Sequence, residues 1–90
     1  MLNVTKAATE YLNDVLVRAD APQESAVRIV PRPEGDGLVT TIDHERSGDQ
    51  HFDCEGRTVL VLDPEIATQL SDLTLDVGES EGGKRLVCLS

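Results

Sequence analysis

Aromatic residues are almost missing from this chain: Tyr11 and Phe52 are the whole set among 90 residues. A core must therefore be assembled from Val, Leu, Ile and Ala, and no aromatic platform exists for stacking bases or sugars. Lysine is scarce as well, with only Lys6 and Lys84, and the 8 basic residues face 17 acidic ones for a net charge of −9. Such a charge repels a phosphate backbone and an anionic membrane surface alike, which argues against nucleic acid and membrane as partners. Basic partners are compatible with it, although genome composition or salt adaptation accounts for acidity spread along a whole chain without any partner. Long apolar runs are missing too: nothing approaches the ~20 residues that span a bilayer, and no apolar leader opens the sequence. The expectation is a cytoplasmic protein. Asn3-Val4-Thr5 matches a glycosylation acceptor but reads more simply as the lead-in to a helix.

What is present centres on Gly56 to Val77. Thr58 to Leu62 is apolar at every position after the first, the pattern of a strand covered on both faces. Asp63 can cap the amides of a following helix, Pro64 suits its first position, and Glu65 complements the positive end of its dipole. Ile66, Ala67, Leu70 and Leu73 then recur at helical spacing, and Thr74 to Val77 returns as strand. This strand, short helix and second strand should form the centre of the core.

Upstream, Thr5 reads as the cap of an amphipathic helix that ends near Ala19, with Ala8, Tyr11, Leu12, Val15 and Leu16 on one face. Asp20-Ala21-Pro22 breaks it. Ala26 to Val30 is a strand, Pro31 to Gly37 a loop, and Leu38 to Asp43 a strand. Arg46-Ser47-Gly48-Asp49 turns the chain into a short strand at His51 and Phe52, and Asp53 to Gly56 turns it again. This spacing predicts an antiparallel meander. Gly78 to Gly83 reads as a glycine-rich loop, and Lys84 to Leu89 as a last strand closing the sheet. Ninety residues fit one domain, 1–90, with no internal boundary.

The order and wording of these segments resemble the HesB/IscA family of A-type iron-sulfur cluster carriers. The resemblance rests on the helix opening at Thr5-Lys6-Ala7-Ala8, the strand Val27-Arg28-Ile29-Val30, the Gly48-Asp49 turn, and Gly56 through Asp76 with its Asp63-Pro64-Glu65 cap. It implies a compact α+β domain with a mostly antiparallel twisted sheet and two short helices. It also implies partners in the iron-sulfur assembly machinery and a possible homodimer. The family's chemistry depends on three cysteines, one in a turn after the strand that Val27 to Val30 resembles and two in a later Cys-x-Cys pair. Here the first place holds Glu34-Gly35-Asp36-Gly37, and the sequence contains no Cys-x-Cys pair. A carboxylate such as Asp36 is a hard and poorly matched substitute for a thiolate. The chain thus looks closest to short, cysteine-poor HesB-like proteins.

Cys54 and Cys88, the only cysteines, fit no zinc or cluster spacing and do not argue for a disulfide. Cys54 falls in a predicted turn as a tolerated surface residue, and Cys88 in the last strand as a small buried hydrophobe. His44 and His51 flank the Gly48 turn among Asp43, Glu45, Asp49 and Asp53, so a hairpin could join the imidazoles into a nitrogen and oxygen metal site. The simpler reading is two exposed histidines with elevated pKa values in acidic surroundings. Gly35-Asp36-Gly37 lacks the lysine of a phosphate loop. Arg28 and Arg32 can bind an anion there or, more simply, balance neighbouring acids.

No residue is assigned a catalytic, cofactor-binding or metal role, and no cofactor is expected. The sequence reads as a degenerate HesB/IscA-like protein that is not an enzyme, with an accessory or interaction role and no cluster of its own. The alternative is an iron or iron-sulfur carrier with a non-standard Cys/His site of Cys54, His44 and His51, or a dimer-bridged site at which Cys54 and Cys88 of two copies converge. For stability, Asp63→Ala should cost ~1 kcal/mol by uncapping a helix, and Asp49→Ala, in a turn, should cost less.

Overall fold

In the computed structural model, which describes residues 2–35 and 37–89, the chain begins with β1 (Asn3–Val4), α1 (Lys6–Arg18), β2 (Ser25–Pro31) and β3 (Leu38–His44). It continues as β4 (Gln50–Cys54), β5 (Arg57–Leu62), α2 (Pro64–Gln69), β6 (Thr74–Ser80) and β7 (Gly83–Leu89). The architecture is the expected α+β one, with antiparallel pairs β2–β3, β4–β5 and β6–β7 outweighing two short parallel pairs, β2–β5 and β1–β6.

Both helix caps form as their sequences dictate. The Thr5 hydroxyl accepts from the Ala8 amide at 3.1 Å and donates to Asp76 Oδ1 at 2.8 Å, which ties the start of α1 to β6. Asp63 accepts from the Ile66 amide at 3.1 Å, with Pro64 behind it in the first turn. Apolar spacing then decides the packing: Ala8, Leu12 and Leu16 of α1 are buried together with Ile66 and Leu70 of the α2 region and Leu75 of β6. They meet Val27 and Ile29 of β2 and Val59, Leu60 and Leu62 of β5. Val59 to Leu62 are all fully buried, so β5 is covered on both faces.

Three expectations about the strands are corrected. The meander is not formed: the order β3-β2-β5-β4 puts β3 and β4 at opposite edges, and the Arg46 to Asp49 turn belongs to a crossover between them. The sheet is also not closed by the last strand, because β7 pairs with β6 in a separate sheet of order β1-β6-β7. Finally, Gly78 to Gly83 is not a loop. Gly78 continues β6, and a Cβ there would meet Val87 Cγ1 at 3.2 Å, so the glycine marks a close approach of β7 rather than a break. The turn itself is confined to Glu81 and Gly82, after which Gly83 takes a φ of +107° that other residues rarely adopt.

Candidate functional site

A connected group of ionisable side chains is built around Arg28, which sits in β2 with only 3% of its surface exposed. A buried guanidinium must have its donors satisfied, and here carboxylates and a carbonyl supply the partners. Nη1 and Nη2 donate to the two carboxylate oxygens of Asp49 at 3.2 and 2.6 Å, Nε donates to Asp43 Oδ2 at 3.0 Å, and Nη2 also donates to the His44 carbonyl at 3.0 Å. Asp49 further accepts from the Arg46 amide at 2.8 Å, and Arg46 Nη2 donates to Asp43 at 2.7 Å. Arg28 shares its register position with Val61 and therefore its face of the sheet. The clamp draws the crossover over that face, where a Cβ on Gly48 would lie 4.0 Å from Pro64 Cγ. The group does the acid-balancing expected of Arg28. It also reverses the expected ranking of Asp49, which is no ordinary turn residue: its side chain is 3% exposed.

These contacts shift the ionisations. The Arg28 hydrogen bonds hold Asp49 below the usual carboxylate range, and the His44 amide, followed by Arg46 and Arg28, does the same for Asp43. Depressed folded-state values mean stability that is complete above the unfolded carboxylate value of about 3.9 and is lost as pH falls through the lower folded values. Stability should accordingly fall steeply on acidification below about pH 4. Urea midpoints at pH 5 and pH 3 check this, with Asp49→Asn losing part of the difference. An equal difference in that variant would remove Asp49 from the acid limb.

The histidines are not joined by a hairpin, because their strands occupy opposite edges of the sheet. His44 Nδ1 lies 3.3 Å from Asp43 Oδ1, and His51 Nδ1 lies 3.2 Å from Asp53 Oδ1. His51 carries a raised pKa from its Asp53 hydrogen bond and from the charge of Glu45, as an acidic surface dictates. Among the described residues no group of three or more His, Cys, Asp or Glu is placed to hold a metal ion. Asp36, weighed above as a stand-in ligand, lies outside the described residues.

The two cysteines exchange their expected settings. Cys54 ends β4, half-buried and packed against the core, because the turn after it is limited to Glu55 and Gly56. Cys88 is exposed on β7. Its thiol nonetheless borders an apolar hollow beside Ile29, Leu75 and Leu86, and this local desolvation raises its pKa. The sequence misled because a strand reading Leu-Val-Cys-Leu looks central, whereas β7 is the outer strand of a narrow sheet.

That hollow shares Leu38, Val39, Thr40 and Leu86 with a larger, mainly apolar groove, which sequence reasoning missed. Tyr11, Leu12 and Val15 of α1, Leu38 and Val39 of β3 and Leu86 of β7 line its main part, with a volume of about 470 Å³. Separate sheets create it, and no local motif announces a gap between two sheets.

No family model matches the sequence. No curated protein matches it either. Solved structures do. IscA, determined with a [2Fe-2S] cluster, aligns with 98% of this chain and 83% of its own at a TM-score of 0.65 and 19% identity. SufA of Escherichia coli, described as involved in biosynthesis of iron-sulfur clusters, aligns with 97% of this chain and 82% of its own at a TM-score of 0.74 and 19% identity. A protein from Aquifex aeolicus solved by NMR aligns with 99% of this chain and 90% of its own at a TM-score of 0.68 and 22% identity. Alignment over nearly the whole chain, with the order of elements described above, identifies the fold as the HesB/IscA-like one.

Proposed function

We propose that this protein is an accessory component of iron-sulfur cluster assembly that keeps the IscA-like shape and acts through protein contacts, without catalysis and without holding a cluster. Its place would be the cytoplasm, and its partners other proteins of that machinery. The fold supplies the link to cluster biosynthesis, since neighbours of this shape include IscA with its [2Fe-2S] cluster and SufA.

The observation that carries the second half is the setting of the two thiols. Iron-sulfur clusters are held mainly by thiolates, commonly four. Cys54 packs on the core from one sheet, and Cys88 stands on the other sheet with its thiol pKa raised, which disfavours the ligating thiolate. The donor set of one chain does not fit a cluster. The exposure of Cys88 is the one feature favouring the alternative of a site shared between two copies, which would gather at most two such thiols at one place.

Anaerobic reconstitution with iron and sulfide, followed by visible absorption and iron counting, tests the proposal. A colourless protein with substoichiometric iron is expected. A brown protein with stoichiometric iron that bleaches in Cys54→Ser and Cys88→Ser variants would overturn it, and dependence on Cys88 alone would assign the shared site.

A further inference from the structure

We infer that the groove between α1, β3 and β7 receives an extended segment of a partner protein, apolar in its middle and carboxylate-bearing at both ends, which adds as a strand to the β3 edge. The inference stands on the groove and not on the iron-sulfur reading, so either can fail alone.

The extended form follows from the strands that border the groove. Leu38, Val39 and Thr40 all line it, and consecutive residues of a strand point to opposite faces, so β3 meets the groove along its edge. An edge strand offers unpaired backbone donors and acceptors, and proteins usually guard such edges with charge, proline, a bulge or brevity. The other outer strands show these guards: β1 has two residues, the pairing of β4 with β5 shifts register between Phe52 and Asp53, and β7 carries Lys84 and Arg85. From Leu38 to Ile42, β3 has none, and its pairing with β2 is regular. A strand laid beside it would bring alternate side chains over Tyr11, Val15 and Leu86.

The charge of the segment follows from the cations around it. Arg28 and Arg46 are paired with aspartates, and Arg57 donates to the carbonyls of Ala21, Pro22 and Ser25. Among the described residues, the side chains of Lys6, Arg18, Arg32, Lys84 and Arg85 have no acidic partner within 4.0 Å. Three of these five lie in hollows that adjoin the groove: Arg18 and Lys84 in one that shares Tyr11 and Val15 with it, and Arg32 in one that shares Val39. Asp14 and Glu34 are the acids in the same lining. Among the described residues these hollows hold three cations and two acids, on a molecule of net charge −9. Cations in two hollows adjoining an apolar trough complement carboxylates at both ends of an apolar strand.

The test uses the intact protein and two labelled peptides with the same core of alternating valine and threonine, one flanked by glutamates and the other by lysines, with binding read by fluorescence anisotropy at low salt. The glutamate-flanked peptide should bind about tenfold more tightly, although the net charge alone favours the lysine-flanked one. N-methylation of alternate backbone amides should abolish binding, since it removes the strand hydrogen bonds. The triple variant Arg18→Glu, Arg32→Glu, Lys84→Glu should reverse the preference, and Lys84→Glu alone, at the exposed hairpin end, should narrow it should the triple variant fail to fold. Tighter binding of the lysine-flanked peptide, equal binding, or no binding of either would overturn the inference. So would sedimentation showing a dimer whose formation excludes the peptide, which would give the groove to a second copy.

Discussion

Replacing Asp49 by alanine is expected to cost about 3 to 5 kcal/mol, several times the ~1 kcal/mol expected for uncapping α2 by Asp63→Ala. The difference lies in what each substitution leaves behind. Losing the Asp63 oxygen leaves one neutral amide, that of Ile66, without its partner, whereas losing Asp49 strips a buried guanidinium of two of its four hydrogen bonds and of one of its two carboxylates, Asp43 being the other. A desolvated charge left short of its partners is among the few defects that single substitutions can create at this scale. A cost of this size is a large part of the 5 to 15 kcal/mol that typically holds a small domain together, and should lower the melting temperature by roughly 12 °C or more. Urea denaturation with an unchanged slope measures it. Equal costs for the two variants would mean that the clamp is not formed in solution. The pair Arg28→Met with Asp49→Leu should cost less than the two single changes added together, because apolar groups on both sides leave no orphaned charge.

Local signals in the sequence were read correctly wherever the structure uses them locally. Thr5 and Asp63 cap helices because a side-chain oxygen three residues ahead of a free amide is a contact within one turn. The strand at Thr58 to Leu62 was legible from its unbroken apolar run, which only a strand covered on both faces can bury. The failures concern partners distant in sequence. The Arg46 to Asp49 turn has the residues of a hairpin, yet β3 and β4 are separated by β2 and β5, since the parallel β2–β5 pairing buries the two most apolar strands side by side. Gly78 was read as a breaker because its real cause, the approach of Val87 across the hairpin, is invisible from neighbouring residues.

The same division explains the candidate sites. That Glu34-Gly35-Asp36-Gly37 holds no cysteine was legible in the residues themselves, whereas the settings of Cys54 and Cys88 depended on which strands are outer ones. The role of Arg28 was half legible: an arginine within an apolar strand needs acids, but the sequence did not say that Asp43 and Asp49 would be those acids. The groove was not legible at all, because its walls come from four elements, α1, β2, β3 and β7, and the cations beside it from three separate stretches of chain.

Leu60→Ala is the substitution expected to cost most in the apolar core, about 2 to 5 kcal/mol. Leu60 is fully buried in the middle of β5, aligned with Val27 on one side and Phe52 on the other, so its loss opens a cavity that two flanking strands hold open. Val61, its neighbour, is equally buried but on the opposite face, the one it shares with Arg28. Its truncation should cost roughly 1.5 to 3 kcal/mol, the worth of a buried valine. Only Val61→Ala should couple to Asp49→Ala: once the clamp has released the crossover, that face is already wet, and the double variant should fall short of the sum by about 0.5 kcal/mol or more. Leu60→Ala and Asp49→Ala, acting on opposite faces, should add within about 0.5 kcal/mol. Val17→Ala, at a position 62% exposed on α1, provides the control and should change stability by no more than about 0.5 kcal/mol. A double-mutant cycle in urea measures all three. Additivity of Val61→Ala with Asp49→Ala would show that the second face of β5 is closed by something other than the Arg28 clamp.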